Sequence, residues 1–134
     1  MKVRHGFVTN SSSSSFIVTF DKVPETVEEL QKMMFGDKDS IPHPYENVSF
    51  ETKLIAKIVF NDLQEQLKAN LKLDPKDDWY SWVFDLEELE FAMKELKNPN
   101  TFHFEYADEN GGIFIVMEHG DIFQNFKHTR ISHH

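Results

Sequence analysis

His119-x-Asp121, followed by His128 and His133, is the part of this chain whose residue types point most directly to chemistry. Imidazoles beside a carboxylate bind divalent metals or move protons near neutral pH. The chain has seven histidines, and five fall at or beyond position 103: His103, His119, His128, His133 and His134. In one reading His119, Asp121, His128 and His133 ligate a divalent metal, with Glu118 as the general base of a hydrolase or phosphodiesterase. The spacing matches neither H-E-x-x-H nor another compact ligand motif, so the fold alone would have to assemble the set. The plainer reading is surface histidines plus a weak cross-strand polar pair between His103 and Glu118.

The stretch GFVTNSSSSSFIVTF, residues 6–20, holds a second set of reactive groups, the hydroxyls of Ser11, Ser12, Ser13, Ser14 and Ser15. A serine nucleophile needs a positioned base, and Gly-x-Ser-x-Gly is absent, so catalysis by this run has little support. Successive backbone N–H groups in a serine-rich turn offer a concave donor site for an anion. Serine side chains also hydrogen-bond locally and hold irregular turns. With Phe7 and Val8 before the run and Phe16 to Phe20 after it, an ordered turn is expected, not a flexible spacer. A third candidate is Trp79-Tyr80-Ser81-Trp82-Val83-Phe84. So many large rings in a row do not all fit one core-facing helix start. Trp79, Tyr80 and Trp82 are therefore candidate protein-contact residues.

The elements that would position these groups are legible in outline. Phe16-Ile17-Val18-Thr19-Phe20 has strand chemistry, and Gly6 to Thr9 is a second short strand candidate. Thr26 and Glu29 stand at capping-box spacing, Val27, Leu30, Met33 and Met34 recur at helical period, and Gly36 is a stop. Residues 37–47 read as a loop. A calcium loop beginning at Asp37 fails because the later ligands and central glycine are missing. Ser49 is expected to cap the longest helix, ending near Leu73 before Asp74-Pro75, with Leu54, Ile55, Ile58, Val59, Leu63 and Leu67 as its apolar stripe. Asp85 and Glu88 repeat the capping spacing before Leu86, Leu89, Met93 and Leu96. Thr101 to Ala107 and Ile113 to Glu118 both alternate around Asn110-Gly111, which predicts a β-hairpin over 101–118. In that register Phe102, Phe104, Tyr106, Ile115 and Met117 face the core. His103, Glu105, Val116 and Glu118 face away. Residues 119–134 have no clean period, and Phe123, Phe126 and Ile131 would anchor them as an irregular segment packed on the domain.

Composition limits the function classes. The 134 residues suit one domain, and 40% apolar content with 13 phenylalanines provides for a sizeable core. A net charge of −9 argues against direct nucleic-acid binding, permits binding to basic proteins and raises the weaker idea of nucleic-acid mimicry. Cysteine is absent, which removes disulfides, thiolate catalysis and cysteine-bound zinc. No apolar run nears the ~20 residues that span a bilayer, and the N-terminal apolar stretch is broken by serines, unlike a signal peptide. No membrane association and a cytoplasmic location are expected.

Arg4-His5-Gly6-Phe7-Val8-Thr9-Asn10, the five serines and Phe16 together resemble the N-termini of many uncharacterised bacterial and bacteriophage proteins, which open Gly-Phe-Val-Ser-Asn-(Ser)n-Phe. Thr9 stands where serine is usual. Tyr106 to Gly111, Met117 to Phe123 and His128 to His133 resemble the C-terminal part of small phage hypothetical proteins. The resemblance implies a phage or mobile-element setting and carries no activity, substrate or catalytic residue.

The sequence thus predicts a single α+β domain over 1–134. A small antiparallel sheet, made from the N-terminal strand and a C-terminal hairpin, packs on about three helices. The expected function is a non-enzymatic, acidic protein-binding or modulatory module without a cofactor. Alternatives are the divalent-metal hydrolase above and a virion or assembly component.

Overall fold

The computed structural model describes residues 13–44, 46–69, 86–107 and 112–133. Their elements run β1 (Ser13–Thr19), α1 (Val27–Phe35), β2 (Ser40–Pro42), β3 (Ser49–Glu51), α2 (Thr52–Ala69), α3 (Leu86–Glu95), β4 (Thr101–Ala107), α4 (Ile113–His119) and β5 (Lys127–His133). A three-stranded antiparallel sheet has the order β4-β1-β5, and β2 and β3 form a separate two-stranded sheet. This is the expected small α+β fold, but the third strand is a different one.

The β1 strand is central because Phe16, Ile17, Val18 and Phe20 are apolar on both faces, so both must be covered. Its register sets Phe16 between Phe104 and Arg130, and Ile17 between His103 and Thr129. One face carries Phe16, Val18, Phe20, Phe102, Phe104 and Tyr106 into the main core with α1, α2 and α4. Phe104 stacks on Phe123 at 5.2 Å and meets Phe20 edge-on at 6.3 Å. The opposite face buries Ile17 and Ile131 against Ala92 and Leu96 at the C-terminal end of α3.

The predicted 101–118 hairpin is the principal correction. Its first strand is β4, with Phe102, Phe104 and Tyr106 turned to the core as expected. Its second half is the helix α4, which buries Val116, Met117 and Glu118. Asn-Gly with flanking alternation is a local signal, and β4's outer edge is already occupied. The Gln66 side chain of α2 donates Nε2–H to the His103 carbonyl at 2.8 Å and accepts the His103 N–H at 3.2 Å. At His103 one amide group thus does what a pairing strand would do. His103 lies on the second face as predicted, yet is buried there.

Other boundaries shift for comparable reasons. Ser49 begins β3 instead of capping the long helix, and Ser40–Pro42, expected as loop, pairs with it. The helix α2 starts at Thr52, whose hydroxyl donates to the Lys38 carbonyl at 2.7 Å and accepts from Gln31 at 2.9 Å. Ile55, Val59 and Leu63 are fully buried, while Leu54 and Leu67, placed in the same stripe from sequence, are exposed. The α1 cap is as predicted: the Glu29 N–H donates to Thr26 Oγ1, and the Glu25 N–H to the Glu29 carboxylate. Gly36 ends α1 at φ +62°, a left-handed conformation that favours glycine. The segment 119–134 does rest on the domain through Phe123, Ile131 and the half-buried Phe126, but Lys127–His133 of it is regular strand. Gly6 to Thr9, the 108–111 turn, the end of the long helix near Leu73 and the Asp85 cap lie outside the described residues. Among the described residues no helix is long and apolar enough to cross a membrane.

Tyr106 carries a pH signature of this packing. Its hydroxyl donates to Asp62 at 2.7 Å. Burial, and then the Asp62 carboxylate, push its phenol well above the usual 10.0. The unfolded chain ionises first, so stability is whole below about pH 10 and falls as pH rises toward the folded value. Unfolding titrations should lose up to about 1.4 kcal/mol per pH unit above that point. Tyr106→Phe should remove this part of the alkaline loss while forfeiting about 1–2 kcal/mol at neutral pH. An unchanged alkaline slope in the variant would contradict the assignment.

Candidate functional site

The polar residues that the fold gathers are not the predicted set but overlap it. Ser14, two residues into β1, lies on the core-facing side with Phe16 and is fully buried. Glu118, in the last turn of α4, is 1% exposed. Ser14 Oγ–H donates to Glu118 Oε2 at 3.1 Å. His119 Nε2 lies 3.2 Å from Glu118 Oε1, and Arg130 Nε–H donates to Ser14 Oγ at 2.9 Å. Arg130 Nη2 reaches His119 Nδ1 at 3.1 Å. The four side chains close a ring across three elements: the central strand, α4 and the edge strand β5. Arg130 donates to Nδ1, so that nitrogen is unprotonated and Nε2 carries the hydrogen toward Glu118.

Local structure explains the placement. Gly120 ends α4, its N–H donating to the Val116 carbonyl at 2.7 Å. A Cβ there would come within 2.5 Å of that carbonyl oxygen, so only glycine fits. The helix therefore stops with Glu118 still buried and His119 at the rim, its side chain 20% exposed. Arg130 sits opposite Phe16 in the β1–β5 register, and its guanidinium carbon lies 5.9 Å from the Phe16 ring centre.

The chemistry this permits is narrow. A buried carboxylate lies against a serine hydroxyl and an imidazole, and a guanidinium is held at the rim. Glu118, proposed as a general base, is instead enclosed and accepts from Ser14. Ser14 Oγ is tied to Glu118 and Arg130, which leaves it poorly set to attack as a nucleophile. In the described part of the serine run, Ser13, Ser14 and Ser15 extend the strand that follows and do not form the favoured turn, and Ser14 and Ser15 are buried. Ser11 and Ser12 lie outside the described residues.

Among the described residues the proposed metal ligands are not seen to converge. His119 is engaged by Glu118 and Arg130. Asp121 is exposed in a left-handed conformation, φ +53°. The exposed His128 ring meets the Phe126 carbonyl through Nδ1 at 3.0 Å. His133 is five residues along β5 from His128, so the two take register positions of opposite parity. Among the described residues, no three histidine, aspartate or glutamate side chains group to hold a metal. The contact residues Trp79, Tyr80 and Trp82 lie outside the described residues. Sequence reasoning noticed Glu118 and His119 but missed Arg130 and the burial of Ser14. Only the strand register makes Arg130 a neighbour of Phe16.

The chain matches no protein-family model, no curated protein and no solved structure.

Coupling between Ser14 and Glu118 is measurable. Ser14→Ala should cost about 1–3 kcal/mol by leaving a buried carboxylate short of a donor. In a Glu118→Leu background most of that cost should vanish, giving a coupling of at least about 1 kcal/mol in a double-mutant cycle. Additive costs would mean that the two side chains do not interact.

Proposed function

We propose that the chain is a non-enzymatic, acidic module that binds a basic protein partner, with the outer side of α3 as its contact surface. The observation that carries this reading is Phe91, a ring left 39% exposed on a helix rich in carboxylates. Glu87 and Glu90 beside it in sequence are exposed, with Glu88 half-buried. Acidic residues in a first helical turn favour the helix dipole, which accounts for Glu87 and Glu88. It does not account for Glu90 or for the exposed phenylalanine that follows it. An aromatic anchor inside a charged rim is the composition of a binding hot spot. The net charge of −9 supports a cationic partner, steered by long-range attraction. In sequence Trp79, Tyr80 and Trp82 immediately precede this helix and extend the same aromatic-acidic character. The resemblance of residues 4–16 supports a phage-infected or phage-carrying cell as the setting, with the host cytoplasm as the place of action.

The test is a calorimetric titration with a basic peptide carrying leucine and aromatic residues, at several salt concentrations, with sedimentation run alongside. Phe91→Ser should weaken binding at least about tenfold. Glu87→Lys with Glu90→Lys should flatten the salt dependence. Equal affinity in wild type and in the triple variant would overturn the reading. A symmetric oligomer that ignores the peptide would point instead to an assembly component.

A further inference from the structure

The guanidinium of Arg130 is held in an unusual way for a rim residue. Arginine presents five N–H donors on two edges, each able to grip an oxyanion with two parallel bonds. Here the edge made by Nε and Nη2 is turned inward. Nε donates to Ser14 at 2.9 Å, Nη2 donates to His119 at 3.1 Å, and the Phe16 ring lies 5.9 Å away. Three donors remain, and two of them, one on Nη1 and one on Nη2, form the second edge. Arg130 is exposed, and among the described residues its hydrogen bonds use only Nε and Nη2.

Ser14 matters to this arrangement. It stands between the guanidinium and Glu118, taking a hydrogen bond from the first and giving one to the second. Arg130 thus feels the buried carboxylate through Ser14, and Glu118 makes no call on its Nη1–Nη2 edge. A long flexible side chain normally loses rotamer freedom when it grips a ligand. Here two hydrogen bonds and a ring have already fixed it, and preorganisation of this kind raises affinity.

The surrounding sequence is complementary. The chain as a whole carries −9, yet residues 119–134 hold one acid, Asp121, against four histidines and Arg130, with Lys127 turned to the other strand face and paired with Glu95. His128, two residues before Arg130, shares its strand face at about 7 Å along β5 and is exposed. This surface lies across the sheet from α3, because α3 packs on the face that buries Ile17 and Ile131.

We propose that Arg130, positioned by Ser14 and His119, is the centre of an oxyanion-binding site that takes a carboxylate or phosphate group through the outer Nη1–Nη2 edge. It is separate from the α3 contact surface and does not depend on it. Ser14 and His119 are positioning residues, and Arg130 alone touches the ligand. The serine of the N-terminal run would thus have a role, as the inner anchor of an anion-binding arginine.

The test follows the Arg130 Nε–H resonance of the full chain in nitrogen–proton correlation spectra. Inorganic phosphate and acetate are the probes, in separate titrations, with chloride at matched ionic strength as the control. A saturable shift with phosphate, with acetate or with both supports the site, and the pair of affinities says which group it prefers. Arg130→Lys keeps the charge but loses the fork, and should weaken binding about tenfold or more. His119→Phe, a change at the rim that leaves Ser14 and Glu118 in place, should weaken it severalfold and speed Nε–H exchange. The proposal is overturned if neither probe moves the resonance beyond the chloride control. It is equally overturned if Arg130→Lys binds as tightly as wild type.

Discussion

Everything in this fold depends on β1 having two strand neighbours, both far away in sequence. Ser13–Thr19 pairs on one side with Thr101–Ala107 and on the other with Lys127–His133. Its backbone groups are satisfied only when segments more than eighty residues distant arrive in register. A buried, unpaired strand backbone is prohibitively costly, so the central strand cannot persist without both partners. Pairing also fixes side-chain parity: the even positions of β1 lie on the main-core side, and Ile17 on the other side meets α3.

That parity brings a serine hydroxyl into an otherwise apolar core. Ser14 is on the same face as Phe16 and Val18, where an apolar residue would pack without penalty. Its hydroxyl is instead matched to Glu118, and Glu118 to His119. A buried carboxylate must be supplied with donors or protonated. Here the donors come from β1 and the end of α4, with the Arg130 charge beyond Ser14. The polar ring joins the two chain-end strands to α4. Strand register, helix length and the Gly120 stop must agree to within one residue for it to close.

Some of this was legible in the sequence. The apolar run after the serines, the Thr26–Glu29 cap and the alternating phenylalanines of Thr101–Ala107 are local signals, and each element formed where it pointed. Ile113–His119 was misread because a short β-branched run satisfies strand and helix templates equally, and Asn-Gly nearby favoured the strand. What decided it was tertiary: Gln66 occupies the β4 edge, and Gly120 lets the helix stop. The strand β5 was illegible for the opposite reason. Lys-His-Thr-Arg-Ile-Ser-His has one buried apolar residue and lies at a sheet edge, so burial wrote almost no pattern into it. Arg130 and Ser14 could not be paired from sequence, because 116 residues separate them and only the register joins them.

The central position of β1 is most directly tested by amide hydrogen exchange along Ser14 to Thr19. Successive residues of an antiparallel strand direct their N–H groups to opposite sides. A strand with two neighbours therefore protects every amide, whereas an edge strand protects every second one. The account predicts uninterrupted protection across these residues, lost together in a single cooperative opening. Protection that alternates along the segment would show one neighbour missing, and the register, the buried Ser14 and the ring around Glu118 would fall with it.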